Sequence, residues 1–241
     1  MIYADYLSTA EAQRWNLDTD VAWDDVNPAL ALGQPDLLLR IRDSALIESF
    51  FPIFTCRAMD CLWNDAAATA VFSIQLYESY KHFHVFNQYL QCVGFHPIDD
   101  ADIVACRARQ TALRFDDGTR LLTRYMMSEH FAAFHFLKDA KLAHDPVLSH
   151  ILTLVGRDEL RLTHFAYELI ALRIAAKPDE AAKVHDEARN FKHIGLDAVG
   201  EVPVAEKNAF AAIVTLSQKV KRLTGEGLRL VEWEERHVGA A

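Results

Sequence analysis

The sequence predicts an all-α protein, a helical bundle with extra C-terminal helices. Two observations lead there. Ala and Leu are abundant, while only 9 Gly and 7 Pro interrupt 241 residues, a balance that favours long helices over sandwiches or barrels. Apolar residues also recur near helical period, as at Phe72, Leu76, Phe83, Phe86 and Leu90. The length suits one domain with a sizeable core.

Residues 1–40 read as an irregular N-terminal arm, punctuated by Trp15, Trp23, Pro28 and Pro35. A first long helix is predicted over about 43–64. Pro52 should kink it or mark a start, because proline has no amide donor. A second long helix covers about 65–93. Pro97, an Asp-Asp-Ala-Asp run and Asp116-Asp117-Gly118 make 94–120 a connector, with a short helix near 103–113. The third long helix runs over about 121–144 and is stopped by Asp145-Pro146. The fourth covers about 147–176, ending before Lys177-Pro178. Two more helices, about 179–191 and 204–223, precede the Gly225-Glu226-Gly227 break. The organisation is therefore an arm (1–40), a bundle (41–225) and a polar tail (226–241). No internal repeat is strong, although the first two long helices mirror the next two as a paired design.

The formal net charge is −9. Without a basic block or aromatic-basic interleaving, nucleic acid is a poor partner. No run of about 18 apolar residues would span a membrane. The start Met1-Ile2-Tyr3-Ala4-Asp5 lacks a secretion signal's basic and apolar parts. Cys56, Cys61, Cys92 and Cys106 lack paired zinc spacing and read as reduced core thiols of a cytoplasmic protein. A local cluster of Lys219, Lys221 and Arg222 could meet an acidic carrier protein, though a solvated helix end is the plainer reading.

Two incomplete copies of one motif stand on the second and fourth long helices. Di-iron bundles use Glu-x-x-His twice, with both residues projecting into the core. In Glu78-Ser79-Tyr80-Lys81-His82 the His is present and Ser79 holds the Glu place. In Asp158-Glu159-Leu160-Arg161-Leu162 the Glu is present and Leu162 holds the His place. Glu48 and Glu78 are 30 positions apart, as are Glu129 and Glu159. That separation fits a helix, a short turn and an antiparallel partner, so each pair can meet at one depth. Hard carboxylates with a borderline imidazole nitrogen suit iron or manganese.

The chain here resembles the acyl-carrier-protein desaturases of the ferritin-like di-iron carboxylate superfamily. The matching stretches are Glu48-Ser49-Phe50-Phe51-Pro52, Glu78-Ser79-Tyr80-Lys81-His82 running into Asn87-Gln88-Tyr89-Leu90, Ala140-Lys141, Asp158-Glu159-Leu160-Arg161, and Lys221-Arg222-Leu223-Thr224-Gly225. Their order and approximate spacing agree from about residue 45 to 227. The resemblance implies a ferritin-like bundle, with ligand roles for Glu48, His82 and Glu159. It places Asp158 behind a ligand imidazole, that of His82, where such a partner fixes the tautomer. The third long helix leaves its ligand open between Met126 by ungapped extension and Glu129 or His130 one turn away. The resemblance also implies molecular oxygen as co-substrate, an external ferredoxin-like reductant and a homodimer.

The departures at Ser79 and Leu162 predict a reduced or rearranged centre. Glu78 with His82 (i, i+4) could coordinate together. His164 is a poorer repair, since five residues from Glu159 is about 140° around the axis. Alternatively one ion remains, held by Glu48, His82 and Glu159. A helical carboxylate is ordinarily a solvated residue, and that reading applies to Glu78, Glu129 and Glu168. Glu129 is nonetheless kept as a candidate ligand, whereas Glu48 and Glu159 at core spacing read as buried and functional. His84, His130, His135, His150 and His164 read as packing or surface residues, His130 being the foremost exception. Tyr77, Tyr80, Phe83, Phe86 and Tyr89 read as a core stripe. Lys81 should snorkel to water.

The expected function is an oxygen-dependent non-haem metalloenzyme that oxidises an apolar or carrier-tethered substrate by desaturation, hydroxylation or N-oxygenation. His82 and Glu159 are its central residues, and one or two iron ions, or manganese, its cofactor. Two alternatives stand beside it. One is a desaturase-like bundle that has lost its centre and binds a ligand or partner. The other is metal-independent chemistry with Glu159 as base and His82 as its partner.

Overall fold

The computed structural model describes residues 2–109, 114–199 and 210–228. Among the described residues all regular structure is helical: α1 (Ile2–Ala12), α2 (Pro28–Leu32), α3 (Pro35–Cys61), α4 (Ala66–Val93), α5 (Asp100–Ala108), α6 (Gly118–Leu142), α7 (Pro146–Ala176), α8 (Glu180–Arg189) and α9 (Phe210–Thr224), with 3₁₀ turns at Trp23–Asp25 and Ile194–Asp197. The all-α bundle expected from the sequence is the observed architecture.

Aspartates start the long helices. The Asp65 side chain accepts from Ala68 N at α4, and Asp117 accepts from Thr119 N and Arg120 N at α6. Asp145 accepts from Val147 N at α7, with Pro146 in the first helical turn. Each satisfies an amide that would otherwise lack a partner. α4 stops at Gly94, whose φ of 69° is the left-handed conformation glycine adopts without Cβ strain.

α3 packs along α4, and α6 along α7. The joins at residues 62–65 and 143–145 are so short that each pair must be antiparallel. The pairs meet through α4 against α7 and α3 against α6, which closes a four-helix bundle. Gly156 lets α7 approach α6, because a Cβ there would come within 2.8 Å of Leu137 Cγ. α5 lies on α3, while α8 and α9 cover α6.

The N-terminal forty residues are not an irregular arm. α1 lies against α4 and α7, with Tyr6 fully buried and its ring 4.5 Å from that of Phe165. Trp15, just beyond α1, is also buried. α3 begins at Pro35, well before residue 43, and passes through Pro52 without ending. Pro52 therefore lies inside the helix and offers no N–H to the Glu48 carbonyl four residues back. The short connector helix ends at Ala108, and 110–113 lie outside the described residues. So do residues 204–209 of the last expected helix and most of the expected tail.

The core is split. One apolar cluster contains Phe50, Phe54, Phe72, Tyr125, Met126, Leu162 and Phe165. The other contains Ile41, Ala45, Phe86, Tyr89, Phe136, Leu148 and Leu152. Between them, at the level of residues 48, 78–82, 129 and 158–161, the interior is polar and ionisable.

Several surface assignments change. Cys56 and Cys92 are exposed, Cys61 is half-buried and only Cys106 is buried; all four are free thiols. Tyr77 and Tyr80 are exposed, unlike Phe83, Phe86 and Tyr89, because positions 73, 77, 80 and 84 form the outward face of α4. No described helix is long and apolar enough to cross a membrane.

Candidate metal centre

Glu48 of α3, His82 of α4 and Glu159 of α7 converge in the polar layer. Each contributes a donor atom within 4.8 Å of the others, and all three are buried. His82 Nδ1 stands 3.0 Å from Glu159 Oε1 and 4.0 Å from Glu48 Oε2. His82 Nδ1, Glu48 Oε2 and both Glu159 oxygens have no hydrogen-bond partner. Buried polar atoms are ordinarily paired, so four unpaired ones facing one point need an explanation.

The other imidazole nitrogen is anchored. His82 Nε2 lies 3.0 Å from Asp158 Oδ2. An ionised carboxylate only accepts, so Nε2 carries a proton and Nδ1 is the ring nitrogen turned inward, toward Glu159 and Glu48. Asp158 also accepts from Trp15 Nε1 at 2.7 Å and from Arg161 Nη2 at 2.7 Å. Burial alone would raise the Asp158 carboxyl. The hydrogen bond and charge of His82, with Arg161 and Lys81, outweigh it and hold the group well below the usual carboxylate range.

A network continues outward beneath α1. Arg161 Nη2 donates to Glu78 Oε1 at 2.6 Å, and Tyr6 donates its hydroxyl to Glu78 Oε2 at 2.6 Å. Gln13 accepts from Arg161 Nη1 at 3.2 Å. Lys81 Nζ lies 4.1 Å from the centre of the Trp15 ring and 3.8 Å from Asp158 Oδ2. Trp15 and His82 are parallel, with ring centres 6.4 Å apart.

Burial and like charge dominate the electrostatics of the cluster. Burial, and then the charge of Glu159, raise the pKa values of Glu48 and Glu129 well above normal. Glu129 is also buried, and its carboxyl feels the charges of both Glu159 and Glu48. Burial alone would lower the His82 pKa, but its contacts with Asp158 and Glu159 push it up to about 10. Tyr125, one turn before Glu129, has a buried hydroxyl with no partner, and burial with the Glu129 charge raises its pKa.

The site residues fall into two sets. Glu48, His82 and Glu159 come together, and Asp158 stands behind His82 as the resemblance implied. Glu129 is buried near Glu159 but outside the three-residue cluster, so it is not the solvated residue expected. Glu78 is also buried, and its oxygens are engaged by Arg161 and Tyr6, so it does not pair with His82 as a ligand. Glu168 is half-buried. His130 Nε2 contacts the Ala212 carbonyl at 2.8 Å and joins α6 to α9. Met126 packs in an apolar cluster. His84, His150 and His164 are exposed. Lys81 is buried over Trp15, because that ring and Asp158 offer the ammonium a partner that water would otherwise provide.

Ser79 is buried and accepts from Gln75 Nε2 at 2.6 Å. Leu162 is buried among apolar residues. Neither departure leaves a ligand for a second ion in its place. Tyr6, Gln13 and Trp15 were not foreseen. Their signal lay in Asp158 and Arg161, whose i, i+3 placement on a core-facing stretch demanded buried partners.

Comparison with known proteins gave no matching family model and no significantly similar curated protein.

Proposed function

We propose that the chain is a desaturase-like member of the ferritin-like di-iron carboxylate superfamily with a rearranged centre. In this reading one iron or manganese ion is held by Glu48, His82 and Glu159, with Glu129 adjacent. The reaction is an oxygen-dependent oxidation of an apolar or carrier-tethered substrate in the cytoplasm. It draws electrons from an external ferredoxin-like reductant, and the protein works as a homodimer. The observation that carries the reading is the buried cluster of unpaired donor atoms. Two carboxylates and one imidazole are the inventory that suits such ions.

The bound metal supplies redox chemistry with oxygen. The chain's own residues supply the rest. Asp158 fixes the His82 ring and keeps Nδ1 turned to the ion. Glu159, with both oxygens unpaired, can bind through one or both. Glu129, its pKa raised by burial and by the charge of Glu159, is a proton store beside the cluster. The two apolar clusters keep water from the polar layer.

Metal analysis of protein produced with iron and manganese tests the reading. About one equivalent per chain is expected, and less than about a tenth of an equivalent would sink it. Glu48→Ala should abolish uptake while the helical content stays unchanged.

A second reading is favoured by Leu162 and Ser79, both buried, the one in an apolar cluster and the other against Gln75. It is a bundle that has lost metal chemistry and serves as a binding protein. Function that survives Glu48→Ala would support it over the first.

A further inference from the structure

α3, α5 and the chain just past the 3₁₀ turn at Ile194–Asp197 enclose a cavity of about 330 Å³. That size reaches the range of small-molecule sites. None of its lining residues belongs to the buried cluster of Glu48, His82 and Glu159. Leu46, Cys106 and Val199 give it apolar surface, while Arg42, Asp43, Asp102 and Arg109 bring charge to it.

The four charges are not equivalent. Arg42 donates from Nη2 to Asp102 Oδ2 at 2.9 Å and from Nε to the His96 carbonyl at 3.1 Å. Asp102 also accepts from Asp99 N, which closes the capping box of α5. That pair is satisfied, and it ties α5 to α3. The other two charges are left over. Asp43 is half-buried and has no hydrogen bond or ion pair among the described residues. Burial pushes its carboxyl up, and the charge of Arg42 only partly offsets that. Arg109 donates from Nη1 to the Ala198 carbonyl at 3.2 Å, an acceptor it shares with the Cys106 thiol at 3.5 Å. It pairs with no carboxylate among the described residues.

An unpaired carboxylate and an unpaired guanidinium thus line one concave site without pairing with each other. Their chemistry selects the occupant. A simple anion could pair with Arg109, but it would desolvate Asp43 and meet its repulsion. A simple cation could pair with Asp43, but it would meet Arg42 and Arg109 in the same way. Either leaves one protein charge without water and without a partner, which is unfavourable. A molecule that carries both charges on a short apolar chain pairs with both and lays its methylenes on Leu46 and Val199.

We propose that this cavity binds a small zwitterion, with its carboxylate on Arg109 and its ammonium on Asp43. The site is separate from the metal reading above and does not depend on it.

The test titrates the full chain by calorimetry with β-alanine, γ-aminobutyrate and ε-aminocaproate, which step the distance between the two charges. Each is compared with the carboxylic acid and the amine of matched chain length. At least one zwitterion should bind, about tenfold or more tightly than its matched acid and amine, since a hydrogen bond to a charged group contributes about that much. Asp43→Asn and Arg109→Gln each remove one charge with little change of shape. Each should weaken the zwitterion about tenfold or more, to the level of a singly charged probe. Ala105→Phe, on the exposed side of α5, puts a ring into the cavity and should abolish binding.

The absence of binding by all three zwitterions would overturn the proposal, as would zwitterions that bind no better than their matched acids or amines. Wild-type affinity in either Asp43→Asn or Arg109→Gln would overturn it too, because the assigned charge would then make no contact. If circular dichroism shows that either charge variant does not fold, Ala105→Phe decides, and binding that persists in that variant counts against the site.

Discussion

Metal uptake should be proton-linked, with a size set by His82. In the metal-free protein the imidazole pKa is about 10, and Nδ1 is the only ring nitrogen facing the cluster. An ion arriving at pH 7 must displace that proton. Three pH units below the pKa, the displacement costs about 4 kcal/mol of intrinsic affinity. Between pH 6 and 8 the apparent affinity should rise about tenfold per unit for each proton expelled, about 100-fold in all for one. A proton held on Glu129, whose pKa burial and the Glu159 charge raise, steepens the slope toward two if it leaves as well. Calorimetric titration of Mn²⁺ in buffers of different ionisation enthalpy counts the protons directly. Asp158→Asn removes the charge that sustains the imidazolium, so it should flatten the slope above pH 7 and weaken binding about 10–100-fold. An affinity that stays flat from pH 6 to 8, with no proton released, would refute the assignment of Nδ1 as the ligand atom.

Two further outcomes follow from buried groups away from the ion. Tyr6→Phe leaves Glu78 Oε2 without its donor and should cost about 1–3 kcal/mol in urea unfolding; an unchanged midpoint would mean that α1 does not hold the network. His130 is kept neutral by burial, with its pKa lowered to about 4, and His193 likewise to about 3. Their folded values lie below the unfolded value of about 6.5, so the stability they contribute is full above that pH and is lost as pH falls. His130→Asn should flatten this acid limb by on the order of 3 kcal/mol, and a limb as steep as that of the wild type would count against it. In the metal-free protein His82 acts in the opposite sense. Its raised pKa gives stability that is full below about 6.5 and is lost as pH rises toward 10.

The four long helices were legible because their signals are local. Asp65, Asp145-Pro146 and Gly94 mark ends that hold within a few residues, and the apolar period of α4 survives in its buried face. The buried cluster was legible through the two partial motifs, since Glu48, His82 and Glu159 sit where the spacing puts them. What was missed depends on partners far along the chain. α1 buries little beyond Tyr6 and Ala10, so its sequence has no strong amphipathic stripe to announce it. Glu78 and Lys81 looked like surface charges because Tyr6, Trp15 and Arg161 cannot be paired with them by local pattern. His130 was a plausible ligand until α9 supplied the Ala212 carbonyl. Tyr77 and Tyr80 looked like core because aromatic residues occur on both faces of α4.

The docking of the N-terminal segment also constrains how the protein is made. Trp15 reaches Asp158 across 143 positions of sequence. At ribosomal rates of about 5–20 residues per second, roughly 7–30 s separate the synthesis of the two. During that interval α1 and Trp15 have no α7 to lie on, and Lys81 and Glu78 have no counter-charges behind them. The polar layer can close only after α7 emerges, so nascent chains should stay protease-sensitive at the N-terminus until then. Trp15, made well before Asp158, is among the last side chains to find its place.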